Sequence, residues 1–224
     1  MSIISFPPVD KANEEGLLAV GGDLDLESLL LAYSKGIFPW PISEDVPLAW
    51  FSPDPRGILS YSDLHISTSL KKFIKKSNLK FKINHNFEKV IHLCATAQNR
   101  SKHNNTWITS DIIEAYIDCY KNGFAYSAET YLNDKLVGGL YGMCVDNFVS
   151  GESMFYLESN ASKFALIELM RKLHKNNIHW LDTQMTTSAI EQMGGKSIPR
   201  TDYLIILKKA IQKLDQPNHK LFQN

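Results

Sequence analysis

Apolar positions along the 224-residue chain follow two regimes that meet near residue 62. Before it, short apolar pieces are broken by Pro and Gly. One helix stands out there, with Asp25 in the capping position, Leu26, Leu29, Leu30 and Tyr33 at helical spacing, and Gly36 as its stop. After residue 62 the periods are regular. Ser67 opens a helix with Leu70, Phe73 and Ile74 facing inward and Lys71, Lys72, Lys75 and Lys76 outward. "LKFKIN" then alternates as a strand through Leu79, Phe81 and Ile83. Two amphipathic helices follow, carried by Phe87, Val90, Ile91 and Cys94, then by Ile112, Ile113, Tyr116, Ile117 and Tyr120 with Gly123 as the stop. "FAYSAETYL", "KLVGGLYGMCV" and "NFVSGESMFY" predict three strands joined at Asn133-Asp134 and Asp146-Asn147, both good hairpin turns. A helix from about Ala161 to Lys175, a buried strand at "IHWLDTQM" and a last helix from near Thr201 complete the pattern.

This order predicts an α+β protein with a small N-terminal domain over residues 1–62 and a larger one over 63–224. The composition suits a globular chain, with 44% of residues hydrophobic and 11% aromatic. No 18-residue apolar run exists, and "MSIISFPPVDKANEEG" lacks a basic start before an apolar stretch, so a cytoplasmic protein is expected. Cys94, Cys119 and Cys144 form no C-x-x-C and read as buried thiols.

Charge divides the chain in the same place. Residues 1–62 hold nine acids against three basic residues, a net −6, so the remainder carries +6. Residues 63–82 hold six Lys against one Asp. A solvated helix face explains such a run, and so does a stripe that tracks a phosphate backbone.

Several chemistries are disfavoured. The seven His show no H-E-x-x-H or other ligand spacing, so no metal site is expected. Ser153 in "GESMF" lacks the second Gly of a nucleophile elbow. A meander, then helix, strand and helix, is the order of the acetyltransferase core called GNAT. That fold holds a coenzyme A pyrophosphate on a glycine-rich turn, whereas "MFYLESNASKFAL" has no Gly.

What remains are polar residues in apolar company: Glu152 after a strand, and Asp182 and Gln184 within "HWLDTQM". Residues two apart on a strand share a face, so Asp182 is expected to bond the Gln184 amide and fix its flip state. A satisfied buried polar pair is the plain alternative. "GIFPW", residues 36–40, raises a separate question, because Pro39 and Pro41 stiffen the chain on both sides of Trp40. It reads as a hydrophobic cluster under a loop or as a rigid ring platform.

Taken together, "GLLAVGGDL", "LLLAYSKGIFPW", "WFSPDPRG", "LHIS", "TWIT", "LVGGLYG", "GESMF", "ASKFAL", "LDTQ" and "IPR" resemble the bacterial leucyl/phenylalanyl-tRNA–protein transferase family, from about Phe6 to Leu207. The resemblance implies a monomer without cofactor, with a GNAT-like C-terminal domain. It would move Leu or Phe, and also Met, from an aminoacyl-tRNA to proteins that begin with Arg or Lys, marking them for degradation. It places Trp40, Trp107 and Tyr33 at the donor's terminal adenosine, and Leu140, Met154, Leu166, Leu169 and Leu181 around the aminoacyl group. Asp182 and Gln184 match the catalytic pair, with Glu152 and Asp182 on the acceptor side and Lys71, Lys72, Lys75 and Lys76 along the tRNA backbone. Val149 and Phe51 depart from the family's aromatic pattern and bear on donor preference. Two other classes are weighed, a tRNA acceptor-end binding module without catalysis and an acyl-coenzyme A acetyltransferase, which the missing glycine turn disfavours.

Overall fold

The computed structural model describes residues 2–41, 46–96, 107–214 and 222. Of the residues named above, Thr106 of "TWIT" and two of the histidines, His103 and His219, lie outside them. The protein is α+β, with three antiparallel sheets among the described residues.

In the N-terminal part, β1 (Leu17–Val20) and β2 (Phe38–Pro39) flank β3 (Ala49–Phe51), with α1 (Leu26–Ser34) between β1 and β2. Asp25 stands at the cap position of α1, but its side chain makes no capping bond. Gly36, at φ +74°, turns the chain out of α1 in the left-handed region that L side chains rarely adopt.

The largest sheet follows the predicted meander. β5 (Lys80–Ile83), β6 (Ala125–Leu132), β7 (Lys135–Val145) and β8 (Phe148–Val149) lie in that order, and β9 (Ser153–Tyr156) also pairs with β7. Asn133, Asp134 and Asp146 take positive φ at the two hairpin turns. α3 (Phe87–Thr96) and α4 (Ser110–Lys121) cover one face together with the N-terminal elements. α5 (Ala161–Lys175) covers the other. α2 (Thr68–Lys76) starts at Ser67, whose hydroxyl accepts the Leu70 amide. Phe73, expected to face inward, is 36% exposed among the lysines of that helix. The three cysteines are buried, as expected.

The third predicted strand is two strands with a crossing between them. After β8 the chain stays bonded to β7, through the Ser150 amide to the Met143 carbonyl and the Glu152 amide to the Tyr141 carbonyl, both at 2.9 Å. It also meets β10 (Trp180–Gln184): Ser150 bridges Asp182 in parallel, and the Gly151 amide donates to the Asp182 carbonyl at 2.8 Å. Gly142 permits the crossing, because a Cβ there would lie 1.8 Å from the Ser150 carbonyl oxygen. β10 in turn pairs with β4 (Arg56–Ser60), which also pairs with β11 (Lys196–Ile198). β4, from the N-terminal stretch, is thus the central strand of a sheet whose other members come from the far end of the chain. α6 (Ser188–Gln192) and α7 (Arg200–Ala210) complete this end.

Candidate active site

The crossing at residues 150–152 sets Glu152 beside the end of β10, where the site forms. Strand register shifts between Asp182 and Gln184, and Gln184 takes φ +55°, which costs a non-glycine residue about 1–3 kcal/mol. The kink separates two side chains that a regular strand would keep on one face. Asp182 points into the protein, and Gln184 swings toward Glu152.

Asp182 is 0% exposed and fully engaged. Its Oδ1 accepts from Arg56 Nε at 2.9 Å and from the Gln184 amide at 2.9 Å. Its Oδ2 accepts from Arg56 Nη2 at 2.7 Å and from the Tyr203 hydroxyl at 2.9 Å. Arg56, 1% exposed, also donates to the Gly36 carbonyl at 2.8 Å and lies 4.8 Å from the Phe38 ring and 4.5 Å from the Tyr203 ring. Burial alone would lower the Arg56 pKa, but the charge and hydrogen bonds of Asp182, with Tyr203 and Glu152, together outweigh it and the guanidinium is held charged. Burial pushes the Tyr203 phenol well up, so its hydroxyl remains a donor.

Two expectations change here, and one partner was missed. Asp182 does not bond the Gln184 side chain: it holds the Gln184 backbone amide, while Gln184 Nε2 donates to Glu152 Oε1 at 2.8 Å. Nor can Asp182 meet an acceptor side chain, since it has no exposed surface and its oxygens are taken. Arg56, the partner of Asp182, was not singled out in the sequence. Its "SPDPRG" context shows only a loop, and the 126 residues between the two leave no local signal.

Glu152 lies on the open side. Ser150 Oγ donates to its Oε1 at 2.5 Å, and the Tyr33 hydroxyl lies near enough to favour its ionised form. Burial pushes its pKa up to about 7, against the lowering effect of Ser150, Tyr33 and Arg56 and with a smaller upward push from Asp182. Tyr33 itself is 0% exposed and shares a 2.5 Å hydrogen bond with the Tyr116 hydroxyl. It lies beneath Glu152 and presents no face to an adenosine, contrary to expectation.

Above these groups opens a pocket of about 290 Å³. Trp40 and Trp107 form one wall, stacked with centroids 5.4 Å apart and planes at 26°. Leu140, Met154, Leu166, Leu181 and Ile190 make it apolar, and Glu152, Thr183 and Gln184 bring polar atoms to it. Four of the five predicted aminoacyl-pocket residues line it. Leu169, 0% exposed, does not and belongs to the core under α5. Val149, 1% exposed, packs in that same core behind the lining, and Phe51 stacks on Phe38 at 6.4 Å, away from the pocket. Both readings of "GIFPW" hold in part: Phe38 is buried over Arg56 and Trp40 stands in the pocket wall. Lys71, Lys72, Lys75 and Lys76 are exposed on α2, outside this pocket. Among the described residues no group of three His, Cys, Asp or Glu is arranged to hold a metal ion, and no helix is long and apolar enough to cross a membrane.

An apolar pocket with an aromatic wall and a carboxylate–amide pair, on an α+β fold, defines a protein that grips an apolar group and handles a polar function attached to it. Comparison with known proteins gives that class its particular form. Residues 22–54 match the family model described as the leucyl/phenylalanyl-tRNA protein transferase N-terminal domain, and residues 58–208 match the model for leucyl/phenylalanyl-tRNA protein transferase. The protein so named from Flavobacterium johnsoniae is 46% identical over 203 residues, covering 91% of this chain and 95% of that one. Its counterpart from Shewanella piezotolerans is 45% identical over 206 residues, covering 91% and 86%. The chain belongs to the leucyl/phenylalanyl-tRNA–protein transferase family.

Proposed function

We propose that the chain transfers Leu or Phe, and also Met, from an aminoacyl-tRNA to the α-amine of proteins that begin with Arg or Lys, forming a peptide bond and marking the product for degradation. The observation that carries this reading is the pocket, apolar within, walled by two tryptophans and bordered by Gln184 and Glu152. A leucyl or phenylalanyl side chain matches the walls of Leu140, Met154, Leu166 and Leu181. The terminal adenine stacks on the Trp40–Trp107 pair, for about 1–3 kcal/mol without base readout.

An aminoacyl ester is already activated, so the task is to hold the acceptor amine against its carbonyl. With Nε2 tied to Glu152, the Gln184 amide has one orientation, and its Oε1 accepts a hydrogen bond from the attacking amine. Asp182 acts through Gln184 as a positioning residue. Glu152 supplies the negative charge on the acceptor side that favours Arg or Lys. Lys71, Lys72, Lys75 and Lys76 follow the tRNA backbone. Residues 1–62 lend Trp40 to chemistry on residues 63–224, in a monomer that works in the cytoplasm beside its aminoacyl-tRNA donors.

The test is incubation with radiolabelled leucyl-tRNA and peptides that begin with Arg, Lys, Asp or Met. Label is expected on the Arg and Lys peptides alone. Binding of the tRNA without any labelled peptide would leave a binding module and refute the reading.

A further inference from the structure

The transfer step has a proton to move, and the groups around the pocket differ sharply in their ability to move it. As the amine nitrogen bonds the ester carbonyl carbon, it carries a surplus proton. As the ester bond breaks, the departing ribose oxygen needs one. Gln184 Oε1 accepts a hydrogen bond but does not hold a proton near neutrality. Asp182 is sealed from the pocket, with both oxygens occupied by Arg56, Tyr203 and the Gln184 amide.

We propose that Glu152 is the proton carrier of this step and that the buried Tyr33–Tyr116 hydroxyl pair is the group that positions it. This rests on the aminoacyl-transfer reading above. The geometry is that of a carboxylate on a pocket wall with two donors, Ser150 at 2.5 Å and Gln184 Nε2 at 2.8 Å, and with the Tyr33 hydroxyl of α1 near enough to favour its ionised form, itself bonded to Tyr116 of α4 at 2.5 Å. Every hydroxyl in that chain stays protonated, because burial pushes both tyrosines well above their ordinary values. The charges around Glu152 are Asp182 from β10 and Arg56 from β4, and Tyr203, Tyr126 and Cys119 also sense its charge. These surroundings leave Glu152 with a pKa of about 7, where a carboxylate both takes and gives a proton readily.

The step balances without a further reactant. The carbon–nitrogen bond forms, and the surplus amine proton passes to the Glu152 carboxylate. The carbon–oxygen bond to the ribose then breaks, and Glu152 returns the proton to the departing oxygen. Glu152 ends as it began.

The experiment is single-turnover transfer from leucyl-tRNA to an Arg peptide at saturating concentrations, across pH 5–9, for the wild type, Glu152→Gln, Glu152→Asp and Tyr33→Phe. Glu152→Gln is expected to lower the saturated rate about 10²- to 10⁴-fold. At low pH the wild-type log rate is expected to rise with a slope of about two, for the α-amine and Glu152, and that of Glu152→Gln with a slope of about one. Glu152→Asp restores part of the rate. Tyr33→Phe removes a hydroxyl that favours the ionised carboxylate and moves the Glu152 limb to higher pH with donor KM unchanged. A wild-type saturated rate in Glu152→Gln, or a loss confined to KM for Arg and Lys peptides, would overturn the proposal. So would a Tyr33→Phe profile that falls in height without moving. Circular dichroism reports folding, and if Glu152→Gln does not fold, the position of the Tyr33→Phe limb decides. A wild-type protein that yields no product refutes the transferase reading instead.

Discussion

Asp182 and Gln184 are two residues apart, yet one end of β10 has made two different environments of them. On the inner side, Asp182 has no solvent and four hydrogen-bond donors, two of them from a guanidinium held between the Phe38 and Tyr203 rings. On the outer side, Gln184 and Glu152 hold each other and face an apolar pocket. The inner carboxylate has a charged partner, and the outer one has only hydroxyls and an amide. On the proposed mechanism that contrast separates the roles: a fully paired charge maintains geometry, whereas a partly enclosed carboxylate near its pKa at neutral pH has chemistry to offer.

The strongest way to break the comparison is to strip the inner side of its cation. Arg56→Met keeps much of the bulk but leaves Asp182 buried without a counter-charge, at an expected cost of about 3–5 kcal/mol. In a chain of this size that lowers Tm by roughly 10 °C, which a thermal melt reads directly. Because Arg56 also bonds the Gly36 carbonyl, the loss is expected to loosen the "GIFPW" turn and with it Trp40. An unchanged Tm would show that the inner charge pair holds nothing together.

On the outer side the largest effect on donor binding belongs to the aromatic wall. Trp40→Ala removes a stacking surface worth about 1–3 kcal/mol, so donor KM is expected to rise roughly 10- to 100-fold while Tm stays within a few degrees. The two variants are therefore expected to separate by stability, which fails in Arg56→Met and holds in Trp40→Ala, while donor binding weakens in both. If Trp40→Ala lost stability and kept its donor KM, the wall would be core and the pocket reading would fail.

The contrast was only half visible in the sequence, and the reason is separation along the chain. The 3.6-residue periods of α3, α4 and α5 and the Asn-Asp turn of the β6–β7 hairpin are local, and they read correctly. So did Leu140, Met154, Leu166 and Leu181, although pattern alone makes them core and only family resemblance makes them lining. Arg56 could not be paired with Asp182, because nothing local marks a contact across 126 residues. The left-handed Gln184 was equally hidden: strand periodicity puts Asp182 and Gln184 on one face, and the kink separates them. Tyr33, apolar by pattern, is buried with its hydroxyl bonded to that of Tyr116.

A subtler difference between the two carboxylates appears in stability against pH. Glu152 binds its proton more tightly in the folded protein, with a pKa near 7 against an ordinary 4.5. Between those values the folded state holds more protons than the unfolded one, so the contribution of Glu152 falls as pH rises from about 4.5 to about 7. Glu152→Gln removes that fall. Denaturant unfolding at pH 5 and pH 8 is expected to show the variant gaining stability on the wild type as pH rises. A difference that is the same at both pH values would mean that Glu152 titrates in the folded protein as it does in the unfolded chain.

The smallest effect on the fold is expected where the side chains touch least, on the lysine face of α2. Lys71, Lys72, Lys75 and Lys76 are exposed, so changing each to Ala alters stability by no more than about 0.5 kcal/mol. What these changes should alter is the response of tRNA binding to salt, because each lysine that neutralises a phosphate contributes roughly 0.7–0.9 to the slope of log K against log salt. The quadruple variant is therefore expected to bind donor tRNA more weakly and with a shallower slope, while its saturated transfer rate at low salt matches the wild type. A shallower slope with an intact saturated rate separates docking from chemistry in one molecule. An unchanged slope would take the tRNA backbone off α2 and leave its lysines as an ordinary solvated face.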